Sequence, residues 1–180
     1  MLASDTINLW EDDYCQVEII PIENLDYIKV KTTAIDSFAE KHKTENGFTK
    51  IYERSGNPTP TKLKHIKVAD LETVFESSGQ KRIKNILIQL QTTVDYEDGK
   101  TRAFGDKNFV VFFERKDDLV ENIWISTKYI ADKIILDKAT ITLRNLGDKF
   151  NLILVDWNTS EIVDLKDVKQ VKMYLNGYDN

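Results

Sequence analysis

Ile86-Leu87-Ile88-Gln89-Leu90-Gln91-Thr92-Thr93-Val94-Asp95-Tyr96, followed by Glu97-Asp98-Gly99-Lys100, is the stretch on which the reading of the fold depends. Ile86, Ile88, Leu90, Thr92, Val94 and Tyr96 recur at every second position. That is the side-chain period of a strand, and it predicts one long strand with a single apolar face. Asp98-Gly99 suits a tight hairpin, because glycine accepts the positive φ such turns demand. Beyond the turn, residues 101–104, 109–115 and 120–125 read as further strands. Strands joined by short turns pair antiparallel, so the centre of the chain is expected to form an antiparallel meander.

Working outward toward the N-terminus, residues 14–20 alternate as a strand would, with Val17 and Ile19 facing one way and Cys15 nearby. Asn24 is placed to cap a helix that carries Leu25, Ile28, Ile35, Phe38 and Ala39 on one side. Residues 27–32 also alternate at period two, and helix is preferred for the whole segment. Residues 48–54 read as a short strand. Residues 55–61 (SGNPTPT) are a loop, because each X-Pro bond disfavours helix on the preceding residue. Residues 69–77 read as a short helix ending near Gly79.

Toward the C-terminus, Asp137 is placed to cap a helix running through Leu143 and Leu146 and closed by Gly147. The β-branched run Thr140-Ile141-Thr142 leaves strand open there. Residues 150–157 read as a buried strand, partnered by residues 161–163 across Asn158-Thr159-Ser160. Asp164 then caps a last helix with Leu165, Val168, Val171 and Leu175 inward and Gly177 past its end. Together these elements predict an α+β fold, a mostly antiparallel sheet with a central meander flanked by helices, in a single domain over residues 1–180.

Composition narrows the function classes. The chain has 180 residues, 41% of them hydrophobic and 31% charged, with a net charge of −5. This balance suits a soluble globular protein and disfavours nucleic acid or an anionic membrane as partner. The first 28 residues hold seven acids (Asp5, Glu11, Asp12, Asp13, Glu18, Glu23, Asp26) and no Lys or Arg, whereas the rest of the chain is near balance. That segment is expected to project a negative field toward basic partners. Residues 1–14 show neither a basic n-region nor an apolar core of a secretory signal. The one cysteine, Cys15, cannot form an internal disulfide, and a reducing, cytoplasmic setting is expected.

Catalytic patterns are sparse. His42 and His65 each lie among lysines, which disfavour imidazolium and repel a metal. Cys15 lies among carboxylates, which hold its thiol protonated. No glycine cluster makes a phosphate or dinucleotide cradle, and no cofactor is expected. One short pattern points to hydrolysis: Glu114-Arg115-Lys116 at the end of an apolar strand, with Asp95 and Asp98 on the preceding hairpin. Two carboxylates holding a hard cation beside a lysine is the chemistry of a divalent-cation-dependent phosphodiesterase or nuclease, with Asp98, Glu114 and Lys116 as its residues. A charged strand end produces Glu-x-Lys equally well without any such role. The basic stretch from Lys62 to Lys84 reads as a solvated helix and strand entrance.

Trp10-Glu11-Asp12-Asp13-Tyr14 is the strongest interaction motif. Two arrangements fit it. The aromatics either offer stacking area beside carboxylates to a partner's Lys and Arg, or pack on the core while the acids are solvated. Asp156-Trp157, at the end of a strand, is a candidate neighbour, and Asp95, Glu97 and Asp98 are candidate additions to the same acidic surface.

Residues 10–25 (WEDDYCQVEIIPIENL), 103–113 (AFGDKNFVVFF) and 151–165 (NLILVDWNTSEIVDL) resemble small bacterial immunity-type proteins encoded beside polymorphic or contact-dependent toxins. The resemblance implies a cytoplasmic protein that binds and blocks a cognate toxin domain, and it transfers no individual binding residue. The expectation is a non-enzymatic protein-binding module with a basic protein partner, acting by occlusion. The alternatives are the cation-dependent phosphodiesterase and a structural scaffold subunit.

Overall fold

A computed structural model describes residues 6–10, 13–88, 92–95 (backbone only), 99–128 and 130–177. In chain order its strands are β1 (Thr6–Leu9), β2 (Val17–Pro21), β3 (Lys43–Thr44), β4 (Gly47–Phe48), β5 (Asn85–Ile88), β6 (Thr92–Asp95), β7 (Thr101–Gly105), β8 (Phe109–Lys116), β9 (Leu119–Thr127), β10 (Leu152–Asp156) and β11 (Glu161–Asp164). Its helices are α1 (Leu25–His42), α2 (Val68–Ser77), α3 (Lys133–Phe150) and α4 (Val168–Asn176). The fold is α+β.

Six strands form one antiparallel sheet in the order β11-β10-β2-β9-β8-β7. Its strands are apolar on both faces, because both faces are covered. In β8, Phe109, Val111 and Phe113 join a core with Leu71 and Phe75 of α2, Leu143 and Leu146 of α3, and Val171 and Leu175 of α4. Val110 and Phe112 point the other way, into a second core with Trp124, Ile83, Ile86 and Leu9. In β10 the same alternation sends Leu152 and Leu154 to the helices α2, α3 and α4, and Ile153 and Val155 to α1. Three helices therefore cover one face. The opposite face is shared by α1 over the β10 half and the small sheet β1-β5-β6 over the β8 half.

The meander of β7, β8 and β9 forms as the spacing predicts, with Asp117 at φ 57° in the β8–β9 turn. Gly105 ends β7 at φ 136°, where a Cβ would lie 2.1 Å from the Phe109 carbonyl oxygen, so only glycine fits. The helix preferred for the segment carrying Leu25 to Ala39 is present as Leu25–His42, the short helix expected at 69–77 as Val68–Ser77, and the last helix is followed by Gly177.

Several expectations are corrected. The long strand over 86–96 is two strands, β5 and β6, paired antiparallel with Ile86 opposite Val94 and Ile88 opposite Thr92. Among the described residues β6 does not pair with β7; the neighbour of β7 on that side is residues 81–83, through Ile83 N to Ala103 O and Gly105 N to Lys81 O. Glu97 and Asp98 of the turn expected at 97–100 lie outside the described residues, whereas the Lys100 carbonyl accepts the Arg115 N–H at 3.0 Å. Strand β2 begins at Val17, because Cys15 adopts φ 53° in a turn that interrupts the extended backbone. The strand expected at 48–54 reduces to Gly47–Phe48.

Caps were displaced as well. Asn24 stands at the N-cap position of α1 but its side chain makes no capping bond; it clamps Thr59 instead, accepting from its N–H at 2.7 Å and donating to its carbonyl at 3.0 Å. α3 starts one turn before Asp137, capped by Asp132 through the Ile134 and Ile135 N–H groups. Gly147 lies inside that helix, which ends at Asn151 in the left-handed region. Asp167 rather than Asp164 caps α4, and the Lys169 and Gln170 N–H groups lower its pKa.

Candidate functional site

Of the aromatic–acidic motif, the described residues Trp10, Asp13 and Tyr14 lie between β1 and β2. Trp10 is 47% exposed, and its carbonyl accepts the Asp13 N–H at 3.1 Å. Tyr14 is 40% exposed, yet its ring meets buried Trp124 edge-on at 4.9 Å, and Trp124 stacks on Phe112 at 5.4 Å. Tyr14 thus combines the two arrangements the sequence allowed: one side rests on the core and the other faces solvent. Burial raises the Tyr14 pKa, with Cys15 and Glu114 adding to the effect. Burial, then Glu18, pushes the Cys15 thiol up to about 12. Glu11 and Asp12 lie outside the described residues.

Strand pairing brings Asp156-Trp157 beside this turn. Trp157 donates its N–H to the Gln16 carbonyl at 2.9 Å, and Asp13 and Asp156 line one small groove of about 170 Å³ with Asn158 and Tyr174. Asp156 is 8% exposed and already engaged: the Tyr174 hydroxyl donates to it at 2.9 Å and the Asn158 N–H at 2.9 Å. Burial and then Asp156 raise the Tyr174 pKa. Asp156 therefore orders the strand end, and Asp13 is half-buried in the same groove.

Trp157 belongs to a group that sequence reasoning did not find. Its Nε1–H donates to Glu18 Oε2 at 2.5 Å, and Arg54 donates to the same oxygen at 3.1 Å while its guanidinium lies 4.2 Å from the centroid of the indole. A cleft of about 330 Å³ opens beside them, lined by Tyr27, Asn24, Pro58 and Pro60 among others. Glu18 and Arg54 are 36 residues apart, and nothing in their local sequence pairs them. The acidic start of the chain is accordingly less free than its composition suggests. Glu18 is neutralised by Arg54, and Glu23 by Lys64 at 2.9 Å, an ion pair that lowers the Glu23 pKa.

Other candidates are kept apart. Asp95 pairs across β5 in the row of Asn85 and Thr6, whereas the Trp10–Tyr14 turn leaves the sheet at the Leu9–Ile88–Thr92 row. Three residues at about 3.3 Å each, plus two strand spacings of about 4.8 Å, separate Asp95 from Leu9. Glu97 and Asp98 lie outside the described residues. Glu114 is buried; it accepts from Asn122 at 2.8 Å and pairs with Lys100 at 3.4 Å, whereas Lys116 is exposed at the strand end. Among the described residues no three His, Cys, Asp or Glu converge as metal ligands, and no helix is long and apolar enough to cross a membrane. Comparison with protein-family models, curated proteins and solved structures found no match to this chain.

Proposed function

We propose that this chain is a protein-binding module rather than an enzyme, and that it occludes a basic partner in the manner of a toxin-neutralising immunity protein. The observation that carries this reading is the β1–β2 turn, where Trp10 and Tyr14 stand 47% and 40% exposed around Asp13. Half-exposed aromatics beside carboxylates are the side chains that anchor a partner's Arg and Lys, and an anchor seated on a buried ring, as Tyr14 is on Trp124, loses little entropy on binding. The Glu11 and Asp12 carboxylates are adjacent in sequence, and charge of this sign speeds encounter with a cationic surface.

The test is affinity capture from the native cells at low and high salt, with the wild-type chain and a Trp10→Ala/Asp13→Lys double variant. The expected outcome is one stoichiometric protein with a basic domain, retained by the wild type, released at high salt and lost by the variant. Equal retention by the variant refutes the placement of the surface at this turn.

A further inference from the structure

Glu18 and Trp157 are positioned by the sheet. Glu18 lies in β2 opposite Val155 of β10, and the Trp157 N–H bonds to Gln16 O, which prolongs that ladder by one step. The indole Nε1–H on Glu18 Oε2 fixes the carboxylate against the ring edge. A flat apolar ring and a carboxylate held at its margin are the two halves of a guanidinium receptor: one stacks on the planar cation and the other accepts its N–H groups.

Arg54 fills that receptor, and it arrives from a segment of a different kind. Residues 50–58 make no backbone–backbone hydrogen bonds among the described residues, and Ile51 within them is 91% exposed. The segment is tied at Thr59 by Asn24, at Ser55 by the Tyr27 hydroxyl at 3.3 Å and at Tyr52 by an edge-on contact with Phe38 of α1 at 5.3 Å. The Arg54 side chain remains 33% exposed, and the cleft of about 330 Å³ beside it leaves room for the rest of an incoming residue.

We propose that the Glu18–Trp157 pair is an arginine-binding site, that Arg54 is its resident occupant, and that an arginine of a basic partner displaces Arg54 to take both contacts. This rests on the partner reading given above. Exchange of one guanidinium for another conserves the ion pair and the stacking, so the swap is close to balanced. A tethered competitor acts at an effective concentration on the order of millimolar, which excludes a weakly bound free arginine. An arginine presented on a surface that also engages Trp10 and Tyr14 overcomes that competition. The turn carrying those anchors ends at Gln16, whose carbonyl holds Trp157, so both sets of contacts lie side by side.

The experiment uses the full chain with N-acetyl-arginine amide as the probe. The indole Nε1–H resonance of Trp157 is followed by NMR and assigned with Trp157→Phe. In Arg54→Ala the probe is expected to shift that resonance saturably, with affinity about tenfold or more above the wild type. N-acetyl-lysine amide, a point charge that stacks poorly, is expected to bind more weakly, and adding Glu18→Gln to Arg54→Ala should abolish the gain. Arg54→Met keeps the apolar stem and replaces Arg54→Ala if that variant does not fold. A folded variant that binds the arginine probe no better than wild type overturns the proposal. No partner is present in this assay, so it separates the two readings. Probe binding without capture of a basic protein refutes the partner reading, and with it displacement by a partner, but leaves the arginine site standing; capture without probe binding refutes the arginine site alone.

Discussion

Cys15 shows how a residue's neighbours set its chemistry. Its thiol is half-buried on a turn at φ 53°, and burial, then Glu18, pushes its pKa from 9.0 up to about 12. The folded chain thus holds this proton more tightly than the unfolded chain. The stability linked to it is complete below about pH 9 and is lost as pH rises toward 12. Tyr14 and Tyr174 are shifted upward as well, burial being the largest cause for each. The urea midpoint is therefore expected to hold steady in this respect up to pH 9 and to fall above it, with a shallower fall in Cys15→Ser, which removes one titrating group. A slope unchanged by Cys15→Ser would show that the thiol is not held protonated by the fold. The sequence already pointed in this direction through the nearby carboxylates, but the largest cause, burial, depends on the second core that Cys15 touches.

Gly147 is the instructive position at the scale of the element. In sequence it resembles a helix stop, since glycine commonly follows the last turn. In the structure it lies within α3, where a Cβ would come 2.7 Å from Leu165 Cβ and 2.9 Å from its carbonyl carbon. An exposed helix-interior Gly→Ala change stabilises by up to about 1 kcal/mol. Here the expected sign is opposite: Gly147→Ala should destabilise by about 1–3 kcal/mol, because the α4-side loop must move to admit one methyl. A raised denaturation midpoint for Gly147→Ala would refute the close packing of Leu165 on α3. The misplaced caps have a related origin. Asp132, Asp137, Asp164 and Asp167 are all plausible N-caps by residue type, and the choice among them depends on where each helix meets the sheet.

At the scale of the molecule, two layers covering both faces of the six-stranded sheet make an ordering of stability. Amides of β2, β8, β9 and β10 lie between paired neighbours in the large sheet, whereas β1 and β6 are edges of the small sheet and β3 pairs only with β4. Hydrogen exchange is expected to be slowest in the inner strands, faster in β1 and fastest in β3–β4. Protection in β1 equal to that of β9 would mean that the small sheet is not a separate outer layer.

The repeat of apolar residues, a local property, was enough to place the helices α1, α2 and α4 and the strands β7 to β11 within a few residues, and with them the α+β class. It failed at residues 86–96 for a definite reason. Ile86, Ile88, Thr92 and Val94 share one parity, and in an antiparallel hairpin directly opposed residues also share a face. An unbroken strand and a hairpin reversing at its middle therefore carry the same alternation. The acidic count of the first 28 residues was equally visible, but which of those charges stay free was not. Arg54 and Lys64 reach Glu18 and Glu23 across 36 and 41 residues, and sheet pairing sets Trp157 against Glu18 across 139. Local patterning governs what each segment becomes because it concerns one helix or strand and its single buried face. The charge and shape of the surface follow from distant segments brought together, and only packing of the whole chain specifies those.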